Sequence, residues 1–256
     1  MRGVHESVRP SPIFLAIVGL AALGAVLAWW AGRSIHPLAY IGVFTFVIAG
    51  WVVSLCLHEF GHAVTAWRFG DRDTAVRGYL TLDPRKYSYP VLSIVLPLFF
   101  IALGGIGLPG AAVFVRTSFM TPARRTLVSL AGPAANLGLA VALLGVTRLC
   151  YDPAHPVLWA GVAFLGFLQL TAVALNLLPI PGFDGYGAVE PHLSPQTQRA
   201  LEPAKQYGAL AVLLLLGPVL GHLFFGIIYW LFDFSGVPAA LAAAGGSLTR
   251  FWGAWL

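Results

Sequence analysis

Residues 39 to 69 read AYIGVFTFVIAGWVVSLCLHEFGHAVTAWRF, with Glu59 and Arg68 as the only acidic or basic residues besides His58 and His62. About 20 apolar residues suffice for a helix to cross roughly 30 Å of hydrocarbon, so this stretch predicts a membrane span. An acidic side chain at mid-membrane costs roughly 2.5 to 3.5 kcal/mol even on a lenient insertion scale, which makes Glu59 a poor choice for a purely structural helix. The segment His58-Glu59-Phe60-Gly61-His62 is an H-E-x-x-H motif. Residues at i and i+4 share one helix face, so both imidazoles can reach one zinc ion, while Glu59, about 100° round, can act as base on a water beside it.

Outward from this span the chain keeps the same character. Of its 256 residues, 58% are hydrophobic and 10% charged, against about 25% charged in soluble domains, and the mean hydropathy is +0.81. Further apolar stretches cover residues 13 to 31, 126 to 149, 156 to 179 and 206 to 232, and an interrupted one, rich in Pro and Gly, covers 90 to 108. The expected fold is an all-α polytopic membrane protein of about five to six transmembrane helices. The first stretch is too long for a signal-peptide core and lacks a cleavage site, which reads as an uncleaved anchor. Two cysteines exclude a disulfide framework, and no Lys/Arg run of the kind that tracks nucleic acid accompanies the net charge of +5.

Basic residues collect on the cytoplasmic side, so their distribution tests whether residues 90 to 108 cross. With the N-terminus inside and a crossing there, the fifteen Lys and Arg divide nine inside to six outside; with a re-entrant excursion they divide twelve to three. The re-entrant arrangement is expected. Residues 74 to 82 and 111 to 116 read as short strands flanking it, a small β-hairpin at the cytoplasmic face that could hold an unwound substrate by strand addition. Residues 237 to 256 read as a partly amphipathic tail on the membrane surface.

Two histidines leave a catalytic zinc site short of its usual third protein ligand. The best candidate is Asp184 in Asn176-Leu177-Leu178-Pro179-Ile180-Pro181-Gly182-Phe183-Asp184-Gly185, where prolines and glycines end the fourth span. The other reading is an ordinary Pro/Gly turn with Asp184 in an aqueous loop. Metal ligands must meet, and the even number of crossings between residues 62 and 184 in the re-entrant arrangement puts them on one face.

These residues resemble the site-2 protease family of intramembrane zinc metalloproteases. His58 to His62 matches its zinc helix, Gly132-Pro133-Ala134-Ala135-Asn136 resembles its G-P-x-x-N motif, and Asn176 to Gly185 matches its N-x-x-P-x-P-x-x-D-G motif. The match covers roughly residues 39 to 190. Gly182, where similar relatives often carry proline, and residues 111 to 115, which lack the Lys-Pro pattern of their hairpin, depart from the pattern. The resemblance implies one Zn²⁺ on His58, His62 and Asp184, with Glu59 as catalytic base. It implies hydrolysis of peptide bonds in or near transmembrane segments of membrane-protein substrates, within the lipid bilayer of the cell membrane. Asn176 is the candidate for oxyanion or substrate-backbone contact, with a packing amide as the other reading; Asn136 is a second candidate that could instead bond across helices. The expected organisation is an anchor helix over 1–38, a protease core over 39–190, and a C-terminal helix and tail over 191–256. The competing class is a polytopic transporter or metal-handling protein, since inward carboxylates and histidines also mark ion pathways.

Overall fold

The computed structural model describes residues 8–87, 96–102, 115–217 and 220–254. Its helices are α1 (Pro12–Ala31), α2 (Pro37–Arg68), α3 (Asp73–Val76), α4 (Leu96–Ala102), α5 (Pro122–Cys150), α6 (Pro156–Asn176), α7 (Asp184–Val189), α8 (Pro195–Leu201), α9 (Gly208–Leu215), α10 (Leu220–Asp233) and α11 (Ala239–Thr249). Short 3₁₀ turns join several of them, and no strand occurs among the described residues. Four helices, α1, α2, α5 and α6, are long and apolar enough to cross a membrane.

Each of those four starts on proline, whose missing N–H and fixed φ suit the first helical position. Ser11, His36 and Thr121 precede three of the prolines and cap the helix, Ser11 Oγ accepting from the Phe14 N–H at 3.1 Å and His36 Nδ1 from the Leu38 N–H at 3.2 Å. At the other end of α1, Gly32 takes a φ of 59°, which stops the helix and turns the chain into α2.

The central element is α6, whose residues from Trp159 to Gln169 are all buried. Around it α1, α2 and α5 keep apolar outer faces: Leu15, Trp30, Val141 and Leu149 are exposed, as suits contact with lipid. Helices in lipid gain little from apolar burial and pack through close approach instead. A Cβ on Gly42 would lie 2.6 Å from the Ala28 nitrogen, and one on Gly61 2.7 Å from the Ala131 carbonyl oxygen, so α1 and α5 both dock on α2 through glycine.

Between α2 and α5 the chain makes an excursion that leaves and returns at one end of the bundle. The Asp71 carboxylate accepts from the Arg116 N–H at 2.7 Å, and Arg116 Nη1 pairs with Asp73 at 3.0 Å. Of residues 88 to 114, only α4 is described; its seven residues, about 10 Å long, cannot span a bilayer, and Ile101 is buried in the main core. The described residues do not establish the expected re-entrant loop beyond this helix.

The expected β-hairpin is corrected. Residues 74 to 82 form the end of α3 and a 3₁₀ turn from Tyr79 to Thr81, and residues 111 to 114 lie outside the described residues. Tyr79, Leu80 and Leu82 are all buried under α2, an arrangement that strict strand alternation would forbid, and Gly78 and Leu82 take positive φ of 78° and 58°. Strand addition by this segment is therefore dropped.

Two further expectations change. Among the described residues the apolar stretch 206 to 232 divides into a 3₁₀ turn, α9, which ends at Leu215, and α10, which starts at Leu220, neither helix long enough for a full span. The tail does not lie apart as a surface helix: α11 docks on α6, and a Cβ on Gly245 would overlap the Ala160 carbonyl. Ala242, Leu248 and Thr249 are buried there.

Candidate metal centre

His58 and His62 point from α2 toward α5 and α7, and their positions are set by what backs each ring. Nδ1 of His62 lies 2.7 Å from the Val128 carbonyl oxygen, which can only accept, so this nitrogen carries the proton. Pro133 lies one turn beyond Val128 and Ser129, where its missing N–H interrupts the α5 ladder. Nδ1 of His58 bonds Asn136 Oδ1, whose amide nitrogen donates in turn to Gln169. Both rings thus turn Nε2 toward a common point, 3.1 Å apart.

The third group reaches that point from the end of α6. Gly182 takes a φ of 99°, and a Cβ on Gly185 would overlap the Leu177 carbonyl, so both glycines are needed to fold α7 back against the helix it follows. The same φ excludes proline at 182, whose ring holds φ near −65°, which accounts for the departure seen in the sequence. Asp184 then places Oδ2 at 3.2 Å from His58 Nε2 and Oδ1 at 3.3 Å from His62 Nε2.

These separations fit a metal ion. Four ligands at zinc distances of 2.0–2.1 Å define a tetrahedron with edges of about 3.3 Å. Asp184 Oδ2 is buried without a hydrogen-bond partner, and two Nε2 atoms turned to the same point are mutually repulsive unless a proton or cation lies between them. Gly132 supplies the space: a Cβ there would overlap His62 Nε2 and stand 2.6 Å from His58 Nε2. A cavity of about 200 Å³ opens beside the group, bounded by Glu59, His62, Asp184, Thr117, Arg125 and Glu190. Glu59 is almost fully buried.

All four residues expected from the two main motifs therefore meet. Asn176 closes α6, buried, with no side-chain hydrogen bond among the described residues. Asn136 lies behind His58, engaged with His58 and Gln169. Gln169 was not singled out by the sequence, though a glutamine inside an apolar span is itself a signal. Glu190 also reaches the cavity wall, where Lys205 pairs with it at 2.8 Å.

Fold and site together define a helical membrane protein with a buried two-histidine, one-aspartate centre beside a glutamate. Comparison with known proteins agrees. The chain is 70% identical over 254 residues to "Putative zinc metalloprotease Rip2" of Mycobacterium tuberculosis, covering 99% of this chain and 98% of that one. It is 63% identical over 256 residues to the Mycolicibacterium smegmatis protein of the same name, covering 100% and 99%. To "Putative zinc metalloprotease YwhC" of Bacillus subtilis it is 30% identical over 196 residues, 73% of this chain and 85% of that one. No protein-family model and no solved structure matches the chain. The chain belongs to the family of zinc metalloproteases that includes Rip2 and YwhC.

Proposed function

We propose that the chain is an intramembrane zinc protease of the site-2 type, holding one zinc on His58, His62 and Asp184 and hydrolysing peptide bonds in or beside transmembrane segments of other membrane proteins. The observation that carries this reading is the convergence of the three ligand groups at 3.1–3.3 Å, beside buried Glu59, within helices apolar enough to cross a bilayer. The zinc metalloprotease names of the relatives supply the metal and the reaction class.

When bound, zinc supplies Lewis acidity, lowering the pKa of a water toward 7 and polarising the scissile carbonyl. Glu59 takes the proton of the attacking water as its oxygen bonds to the carbonyl carbon. The C–N bond then breaks and Glu59 passes the proton to the leaving nitrogen, which balances the hydrolysis. Asn176 offers a buried amide to the developing oxyanion or to the substrate backbone. Asn136 serves as a positioning residue for His58 rather than as an oxyanion donor, since its amide is engaged behind the ring. The face that carries the centre is assigned to the cytoplasm, together with the N-terminus, from the excess of basic residues on that side.

The purified full chain is expected to carry about one zinc, by metal analysis, and to cleave a single-pass reporter reconstituted with it. Asp184→Ala should lower zinc content, while Glu59→Gln should keep the metal and slow cleavage at least about 100-fold. Equal metal loss in both variants would overturn the division of roles, and undiminished cleavage by Glu59→Gln would overturn the mechanism.

A further inference from the structure

Behind His58 a line of buried polar side chains crosses three apolar helices. It leaves α2 at Ser54, whose hydroxyl donates to the Trp51 carbonyl at 2.8 Å. Gln169 on α6 donates from Nε2 to Ser54 Oγ at 3.1 Å, and Asn136 on α5 donates from Nδ2 to Gln169 Oε1 at 2.7 Å. Asn136 Oδ1 then meets Nδ1 of His58, back on α2 one turn beyond Ser54. Gln169 is fully buried, and Ser54 and Asn136 are 3% and 4% exposed, so water does not compete for these bonds.

The order of donors has a consequence for the ring. A backbone carbonyl can only accept, so the hydroxyl that serves Trp51 leaves its lone pairs for the Gln169 amide. That amide then turns its oxygen to Asn136, which turns its own oxygen to His58. An amide carries a donor and an acceptor of nearly equal size, and Asn136 alone would present either to the ring. With Nδ2 facing His58 the ring would have to accept at Nδ1 and carry its proton on Nε2, which is the atom the metal needs.

We propose that Gln169, held by Ser54, is the positioning residue that fixes the Asn136 amide, and through it the zinc-binding tautomer of His58. This rests on the zinc reading above. It assigns a role to a residue 33 positions from Asn136, on a helix that contributes no ligand, and it explains why an uncharged amide is kept inside the most buried span of the bundle.

The test is a zinc-affinity comparison by chelator competition on the full chain in detergent, in two backgrounds. Gln169→Leu removes the acceptor for Asn136 and should weaken zinc binding about 10- to 100-fold, the usual effect of losing such an outer partner. In the Asn136→Asp background a carboxylate presents an acceptor to His58 whichever way it turns, so adding Gln169→Leu should change affinity less than about 3-fold. A role in packing alone would give the same loss in both backgrounds, and that result, or no loss in either, overturns the proposal. Gln169→Glu guards against misfolding, because a protonated carboxyl keeps one donor and one acceptor in place; it should bind zinc within about 3-fold of wild type, and a loss as large as that of the leucine variant also overturns the proposal. A wild-type chain that binds no zinc would overturn the metal reading and this proposal together, whereas tight binding with equal losses overturns this proposal alone.

Discussion

At Gly132 one absent carbon makes room for a metal. The overlap that any Cβ would make with the two Nε2 atoms can be relieved only by moving the histidines or α5, and overpacking of this kind costs about 1–3 kcal/mol. Gly132→Ala should therefore bind zinc roughly 5- to 150-fold more weakly while keeping its helical circular dichroism; a chelator titration checks this, and wild-type affinity would show that the centre lies elsewhere. Residues differ in how far the sequence exposes such roles. His58, Glu59 and His62 are legible because helical spacing alone brings them to one site. Asp184 is legible only with the proline and glycine pattern around it, since nothing in its spacing from His62 states that the two meet. Gln169 is not legible because its meaning lies in two partners, Ser54 and Asn136, on two other helices, both distant in sequence and ordinary in type.

Whole helices follow a different rule. The four spans were legible because hydrocarbon thickness sets their length, and proline after Ser11, His36, Thr121 and His155 sets their starts within a few residues of the apolar boundaries. The misread elements are those whose neighbours decide their form. Residues 74 to 82 alternate well enough for a strand, yet they bury consecutive side chains under α2. The run Ala239 to Gly246 is all Ala and Gly apart from Leu241 and reads in sequence as a surface tail, although small residues in a membrane protein mark close helix contact. Gly245→Val should accordingly release α11 from the bundle, because its side chain would collide with the Ala160 carbonyl. Limited proteolysis after residue 236 should speed up at least several-fold; unchanged protection would mean that α11 is held by other contacts.

For the molecule as a whole, the decisive matter is which ends of the helices share a face. Arg33 Nε donates to the Pro153 carbonyl at 2.7 Å, which groups the α1–α2 and α5–α6 connections at one end, while the excursion from Asp71 to Arg116 and the loop bearing Asp184 lie at the other. In chains freed of exposed Cys150, single cysteines at Val76 and Phe119 should react with an impermeant thiol reagent from one side of the membrane, and a cysteine at Ile35 from the opposite side. Reaction of the first two from different faces would break the arrangement. The bond between Asp71 and Arg116 also bears on how such a chain can change over generations. It closes the excursion at its base, so the separation between α2 and α5 does not depend on how many residues the excursion holds, and doubling a closed loop costs only about 0.6 kcal/mol. Descendants are thus free to lengthen, trim or exchange that segment, and the metal centre between the two helices inherits no disturbance from the experiment.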